Sequence, residues 1–506
     1  MNIAVLNQLQ NGSDIRGVAL EGVPGEVVNL TAEIAEKLGR SFAAWLAKNS
    51  FGTGKVAVGT DSRISGPKLK EALIKGLTQA GMDVLDCGMA STPAMFMTTI
   101  LPEYKATGSI MITASHLPFN RNGMKFFTSN GGFDSKDISR LLEFAASDGP
   151  VDSDHTGTTE KVDFISTYAD FLLHTIRNGV NDPDHFEQPL KGLHIVVDAG
   201  NGAGGFFADK VLVPLGARIS GSQFLEPDGT FPNHIPNPEN KEAMDSICRA
   251  VVRHHADLGI IFDTDVDRAA VVDPMGNAIN RNDLIALISA VILEEHPGSV
   301  VVTDSITSTG LNWFIEVHLK GIHHRFQRGY KNVINESVRL NREGQESWLA
   351  IETSGHAALK ENRFLDDGAF LVAKLLIKMA KMDRKGQSLS DLITALPRPV
   401  EEQEYRLKIT AGNFREYGAQ VLSGIGERAK KEAGWSPENP NYEGIRINCT
   451  QPDELGWFLL RMSLHDPVMP LNIESSRSGG VRKIVHHLRK LLVEFKELDI
   501  SSLHNK

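Results

Sequence analysis

Three stretches of this chain repeat one order of residues, and that repetition restricts the fold more than any single motif does. "KVAVGTDSRISG" (55–66) runs into "PKLKEALIKGLTQAG", "LHIVVDAGNGAGG" (193–205) into "FFADKVLVPLG", and "SVVVTDSITSTG" (299–310) into "LNWFIEVHLKG". Each begins with a short apolar or β-branched run, which reads as a buried strand. Each then places an aspartate (Asp61, Asp198, Asp304) in a loop of Gly, Ser and Thr, and continues into a helical pattern that stops at glycine. The first helix is the clearest, with Pro67 at its opening, Leu69, Leu73 and Leu77 on one face and Gly81 at its end. Strand, loop and helix in series dictate parallel α/β layers, so three units imply three related α/β domains. A second apolar strand follows each unit and ends in a polar loop: "SIMITASHLP", "LGIIFDTDVDR" (258–268) and "SWLAIETSGH" (347–356). Ligands of open α/β sheets bind beyond the carboxyl ends of strands, so the three loops are expected to converge on one cleft.

Towards the C-terminus the pattern changes. "EEQEYRLKIT" alternates like a strand, "GWFLLRMSLHDPVMPLNIES" (456–475) reads as strands around a polar loop, and the paired prolines of "TALPRPVEEQ" (394–403) mark a linker. A chain of 506 residues is too long for one core. The expected division is 1–163, 164–282, 283–395 and 396–506: three related mixed α/β sandwich domains plus a C-terminal α+β domain around a central cleft. A net charge of −10 argues against a nucleic-acid partner, which needs a basic stripe. The three cysteines are far apart and lack metal spacing, as in a reduced compartment. "LIALISAVILEEH" (284–296) is too short to span a bilayer and the N-terminus does not read as a signal peptide, so no membrane partner is expected. The expected location is the cytoplasm, or a plastid if a transit peptide has been trimmed.

The loops carry the chemistry. "DTDVDR" sets Asp263, Asp265 and Asp267 at alternate positions, which in an extended chain face one side. Two carboxylates ~4 Å apart at an effective dielectric of ~20 repel by about 4 kcal/mol, so the cluster calls for a hard divalent cation, Mg²⁺ before Mn²⁺ or Ca²⁺. An EF-hand is excluded, because Arg268 and Pro274 stand where it needs glycine and glutamate. Arg268 beside a metal suits a phosphate-bearing ligand; the plain alternative is a solvated acidic turn. Ser115 lacks the G-x-S-x-G elbow, and strand alternation points its neighbour His116 to the opposite face, making His116 a poor base. Ser115 is then either a turn serine before Pro118 or the carrier of a phosphoryl group that Mg²⁺ on the aspartates would hold. Lys125, downstream, would neutralise charge or move a proton, or is a plain surface lysine. Glu352, Ser354 and His356 suit vicinal sugar hydroxyls or a helix cap. Arg461, Ser463 and His465 suit a phosphate or form a solvated turn. "GNGAGG" (200–205) matches a dinucleotide fingerprint, without the acidic residue about 20 positions on.

Together these motifs resemble, in order and over nearly the whole chain, the α-D-phosphohexomutase family of phosphoglucomutases, phosphomannomutases and phosphoglucosamine mutases. "GSDIRG" (12–17) is similar to the family's N-terminal motif, which brings Arg16 to the site; "TASH" (113–116) resembles the phosphoserine loop, and Lys125 falls at the family's lysine. "DTDVDR", with Arg268, resembles the metal loop, "ETSGH" the sugar-recognition loop and "RMSLHDP" the phosphate loop of the fourth domain. The resemblance implies interconversion of hexose 1- and 6-phosphates, of glucose or mannose, through phospho-Ser115 and a hexose 1,6-bisphosphate. One Mg²⁺ per chain and glucose 1,6-bisphosphate as activator go with it. Ser115, Lys125, Arg16, His116, Arg268 and Tyr330 are its catalytic candidates. The implied protein is a monomer or homodimer with a fourth domain that opens and closes. Two departures stand out. His465 and Asp466 replace the threonine and glutamate usual in the fourth-domain loop, and Tyr330 stands where phosphomannomutases often place a histidine proton shuttle, a role left open to Tyr330, Lys331 or Lys125. The alternatives are a phosphoglucosamine mutase, a glucose 1,6-bisphosphate synthase, an inactive sugar-phosphate regulator and a nucleotide-dependent oxidoreductase.

Overall fold

The computed structural model describes residues 3–147, 155–463 and 466–504. The chain forms two compact units, Met1–Val291 with Ser354–Leu392, and Ile292–Thr353 with Ile393–Lys506.

In the first unit, the N-terminal sheet runs in the order Gln10–Asn11, Asp14–Val18, Arg121–Thr128, Ala106–Ile112, Lys55–Thr60, Asp83–Met89, Thr159–Lys161. Lys55–Thr60 is parallel to both of its neighbours, and Arg121–Thr128 lies antiparallel to Ala106–Ile112. The expected helix is present as Gly66–Gln79, with Leu69, Leu73 and Leu77 buried. It shares one core with Leu38 and Phe42 of Ala32–Lys48 and Leu141 of Ser135–Ala146. Each such Leu or Phe stabilises the layer by about 1.5–3 kcal/mol.

A second sheet repeats the local plan. Leu258–Phe262 is parallel to Ile195–Asp198 and antiparallel to Ala269–Val272. Its register pairs Phe262 with Ala269, so "DTDVDR" is the turn between these two strands. The helix expected after "GNGAGG" is a short wide-turn (π) segment, Phe207–Leu212, because Pro214 soon follows and cannot continue a helix. The unit also contains the antiparallel pair Ala357–Leu359 and Leu365–Asp366, and the helix Gly368–Asp383. That helix is buried on nearly every face, as its continuous apolar sequence requires. Its N-cap, Asp367, accepts a 2.6 Å hydrogen bond from buried Tyr168.

In the second unit, Val300–Thr303 pairs in parallel with Ile322–Arg325 and Ser347–Ile351. A six-stranded sheet runs Trp435–Pro437, Ile445–Cys449, Gly456–Leu460, Val468–Ser475, Glu401–Ile409, Leu498–Asp499. The helices Phe414–Ala429 and Gly480–Leu492 share its core. Arg446 is almost completely buried: its guanidinium lies 3.5 Å from the centroid of the Trp457 ring and donates to the carbonyls of Ser305 (2.9 Å) and Thr307 (3.0 Å). The C-terminal sheet is thereby pinned to the loop after Val300–Thr303, and a hinge at 394–403 alone would have to break that contact. Among the described residues no helix is long and apolar enough to cross a membrane.

Candidate active site

In the first unit the Ser115 loop follows Ala106–Ile112, and the aspartate turn follows Leu258–Phe262. The two meet. Ser115 Oγ donates to Asp263 Oδ2 at 2.9 Å and accepts from Arg268 Nη2 at 2.9 Å, although 148 residues separate the serine from Asp263. Ser115 has φ 49°, a left-handed conformation that a serine rarely adopts. The strand alternation expected to send His116 away therefore fails: its Nδ1 lies 3.3 Å from Ser115 Oγ and accepts from Arg268. Burial, Arg268 and Arg16 push the His116 imidazole down to about 3, so it stays neutral and is a weak proton acceptor.

The aspartates converge by a different route from the extended one. Val266 at the middle of the turn has φ 66°, unusual for a β-branched residue, and the backbone reverses there. Ligand oxygens of Asp263, Asp265 and Asp267 all lie within 4.8 Å of one another, and all three side chains are fully buried. Lys125 Nζ donates to Asp267 and sits 3.1 Å from Asp265 Oδ2. Burial, then Asp267 and Asp265, raises Asp263 well above the carboxylate range. Burial also acts to raise Asp267, but Lys125 and Arg268 override it and hold that carboxyl low. Asp265 is fixed by Thr92, whose hydroxyl donates to Oδ2 at 2.5 Å and whose N–H donates to the Asp265 carbonyl at 2.8 Å. Oδ1 of Asp265 and Oδ1 of Asp267 are buried without a hydrogen-bond partner among the described residues. Such orphaned anionic oxygens are costly unless a cation takes them, and an all-oxygen set fits a hard divalent ion such as Mg²⁺.

Arg16, on the strand Asp14–Val18, donates to the Thr113 carbonyl and to Asp14 Oδ2, each at 2.8 Å. Its register partner is Gly123, where a Cβ would stand 2.2 Å from the Ile15 carbonyl and 2.9 Å from that of Thr113. Only glycine admits Arg16 so close to the serine loop. Ser354 Oγ is 2.8 Å from His356 Nδ1, and His356 forms a bridge with Arg268. His356 Nε2 is 3.8 Å from both Asp267 and Asp366. Burial, Arg268 and Lys125 lower its pKa far below the usual histidine range.

The second unit holds its own set. Glu352 accepts from the Gly329 N–H at 2.7 Å, next to Tyr330 at the start of the helix Tyr330–Arg342. Glu443 accepts from the Arg328 N–H at 3.1 Å and lies 3.9 Å from Arg461 Nη1. Arg461 is largely buried, and Ser463 Oγ accepts from the Asp466 N–H at 3.3 Å. His465 lies outside the described residues. The glycine loop 200–205 packs on the aspartate turn: a Cβ on Gly202 would be 2.6 Å from the Thr264 carbonyl, and Ala203 N–H donates to it at 2.8 Å. The contact engages the Ala203 N–H, a backbone donor of the kind a dinucleotide loop turns towards its pyrophosphate.

Family models described as phosphoglucomutase/phosphomannomutase, alpha/beta/alpha domains I, II and III, match residues 7–148, 168–276 and 280–400. The chain belongs to the α-D-phosphohexomutase family. It is 30% identical over 477 residues to a phosphoglucomutase of Neisseria gonorrhoeae, covering 94% of this chain and 95% of the relative. It is 30% identical to a phosphomannomutase/phosphoglucomutase of Pseudomonas putida, covering 95% of this chain and 96% of that one. A solved structure of a phosphoglucomutase/phosphomannomutase family protein from Burkholderia thailandensis matches with TM-score 0.79 at 26% identity, covering 98% of each chain. As a phosphohexomutase the chain is an intramolecular phosphotransferase, an isomerase acting on hexose phosphates.

Sequence reasoning passed over Arg63, Thr92, Asp366 and Glu443, which hold or flank the candidate groups. Arg63 had a signal: an arginine two places after the loop aspartate of "TDSR". Thr92 and Glu443 had none, because each acts on a loop remote in sequence, and Asp366 faces His356 only through the turn between two short strands.

Proposed function

We propose that this phosphohexomutase interconverts the 1- and 6-phosphates of glucose, of mannose or of both, with Ser115 as the phosphoryl carrier. The observation that carries the reading is the seat of Ser115 Oγ, 2.9 Å from Asp263 Oδ2 and 2.9 Å from Arg268 Nη2. A phosphoryl group there adds a charge of about −1.5 to −2 beside a guanidinium and a cation-demanding cluster. Phospho-Ser115 gives its group to the free hydroxyl of a hexose monophosphate, the 1,6-bisphosphate turns round, and the other phosphate returns to Ser115. Asp263, Asp265 and Asp267, with an oxygen on Ser115, would hold Mg²⁺, which offsets charge on the transferring group when bound.

The chain's own residues do the positioning. Arg268 orients the Ser115 oxygen and holds neutral His116 beside it; Lys125 balances the aspartates; Arg16 braces the backbone before Ser115. Tyr330 stands at the position of the family's histidine proton shuttle, and Tyr330, its neighbour Lys331 or Lys125 moves the proton. Glu352, Ser354 and His356 bind sugar hydroxyls, and Arg461, Ser463 and His465 bind the phosphate that is not reacting. The reading goes with domains at 1–163, 164–282, 283–395 and 396–506, and with a cytoplasmic monomer or homodimer. The test is Ser115→Ala, assayed with glucose 1-phosphate and mannose 1-phosphate in the presence of Mg²⁺ and the matching bisphosphate. Turnover should vanish with both; full activity in the variant would remove Ser115 from the reaction.

A further inference from the structure

The mechanism above leaves unused the feature on which the sequence is most repetitive, the aspartate that ends the first strand of each α/β unit. All three are buried, with Asp61 2%, Asp198 0% and Asp304 0% exposed. None is a candidate ligand or sugar contact, yet each reaches across to a neighbouring loop.

Asp61 pairs with Arg63, whose Nε lies 3.4 Å from Asp61 Oδ2 and whose N–H donates to Asp61 Oδ1 at 2.9 Å. The Arg63 guanidinium is wholly buried and spends its donors on one loop: the carbonyls of Ser115, Leu117 (2.6 Å), Pro118 (2.8 Å) and Arg121 (2.9 Å). Four carbonyls aimed at one cation fix the backbone that carries Ser115 in its left-handed conformation.

Asp198 takes His234, whose Nε2 is 3.0 Å from both carboxylate oxygens, and Gln223 at 2.7 Å. His234 anchors the segment "NHIPNPEN" (233–240), which brings Asn237 Oδ1 to 3.5 Å and Glu239 Oε2 to 3.9 Å from Arg268 Nη1. Asp304 accepts from the Thr353 hydroxyl at 2.7 Å and lies 3.8 Å from Arg328 Nε. Thr353 sits inside "ETSGH", and Arg328 precedes the Gly329 whose N–H meets Glu352.

We infer that Asp61, Asp198 and Asp304 are positioning residues of the transfer reaction. Each clamps, through a donor that it holds buried, the loop that presents one part of the chemistry: Ser115, the surroundings of Arg268, and Glu352 with the Gly329 N–H that it accepts from, next to Tyr330. The same strand end does the same work three times, and the partner differs each time (Arg63, His234, Thr353 with Arg328) because each loop offers different groups. The kinetic part of this inference rests on the proposed function; the mechanical part does not.

The test replaces each aspartate by asparagine, which keeps its shape and removes its charge. Amide hydrogen exchange followed by mass spectrometry reads the loops, and steady-state kinetics with glucose 1-phosphate reads the reaction. Asp61→Asn should speed exchange at least tenfold in 113–121 and leave 232–240 as in the wild type. Asp198→Asn should do the reverse. Both should lower kcat at least tenfold at nearly constant KM. Asp304→Asn should loosen 328–330 and 352–354 and raise KM at least tenfold with a smaller change in kcat. Should an asparagine variant fail to fold, Arg63→Lys, His234→Gln and Thr353→Val probe the same clamps from the donor side, with the same local pattern expected. Exchange that stays protected in the named loops, or rises uniformly through the chain, overturns the inference. So does an equal fall in kcat for all three at constant KM, which is the mark of a lost folded fraction. Loosened loops with unchanged kinetics overturn the role in the reaction while leaving the Ser115 assignment intact; a fully active Ser115→Ala protein sinks that assignment and leaves the exchange result to judge the clamps.

Discussion

Lys125→Met tests the electrostatic core of the site without touching the serine. In the structure Lys125 Nζ donates to Asp267 and stands 3.1 Å from Asp265, and both carboxylates are fully buried. At ~3 Å and an effective dielectric of ~20 each attraction is about 5 kcal/mol before desolvation is subtracted. Removing one partner of a buried pair leaves a net cost of about 3–5 kcal/mol. Methionine keeps an unbranched apolar side chain, one atom shorter than that of lysine, so the loss is chiefly one of charge. A divalent ion on the same carboxylates meets more negative charge once the lysine is gone, and each tenfold gain in its affinity adds about 1.4 kcal/mol of stability at saturation. Thermal unfolding of both proteins, in chelator and in Mg²⁺, therefore has a defined outcome. The variant should unfold several degrees below wild type in chelator, and Mg²⁺ should raise it more than it raises wild type. A deficit that Mg²⁺ leaves unchanged or widens would refute the placing of the cation on these aspartates.

Other expectations follow from the same geometry. Arg268→Lys loses the guanidinium fork that reaches Ser115 and His116, and kcat should fall about 10²–10³-fold, read in the mutase assay. Arg461→Ala should raise KM for hexose phosphates more than it lowers kcat, because the proposed contact is with the phosphate that does not react. Glu474, buried against Trp457, is raised from 4.5 to about 7 by burial, against the lowering effect of the Trp457 hydrogen bond and Arg446. Its folded form keeps a proton that the unfolded chain releases, so its contribution to stability is present below pH 4.5 and is lost as pH rises towards about 7, about 3 kcal/mol in all. Glu474→Gln should flatten that part of the stability–pH curve, measured by denaturant unfolding between pH 4.5 and 7.5, roughly the window of the shift.

What the sequence made legible was whatever lies within one stretch of chain. The strand–aspartate–loop order, the alternating carboxylates and the helix at Gly66–Gln79 depend on near neighbours, and each has its counterpart in the structure. The meeting of Ser115 with the aspartates was legible as a charge argument, since neither loop is balanced alone. Local geometry was read less well. The aspartates come together through a turn with Val266 left-handed, and Ser115 is itself left-handed, so strand alternation predicts neither the route of the first nor the closeness of His116 to the second. The short π segment Phe207–Leu212 in place of a full helix follows from Pro214, a breaker the apolar pattern masked. The partners Thr92 and Glu443 were out of reach, because a threonine at a helix start and a surface-type glutamate acquire their roles only from loops far along the chain.

The most direct measurement is the intact mass of the purified protein after incubation with glucose 1,6-bisphosphate and Mg²⁺, followed by peptide mapping. Wild type should gain the mass of one phosphoryl group, located on the peptide containing Ser115, and should still carry it after converting excess glucose 1-phosphate to glucose 6-phosphate, because each turnover returns a phosphate to the serine. A protein that catalyses the interconversion while never carrying phosphate on Ser115, or that carries it on another residue, would contradict the account.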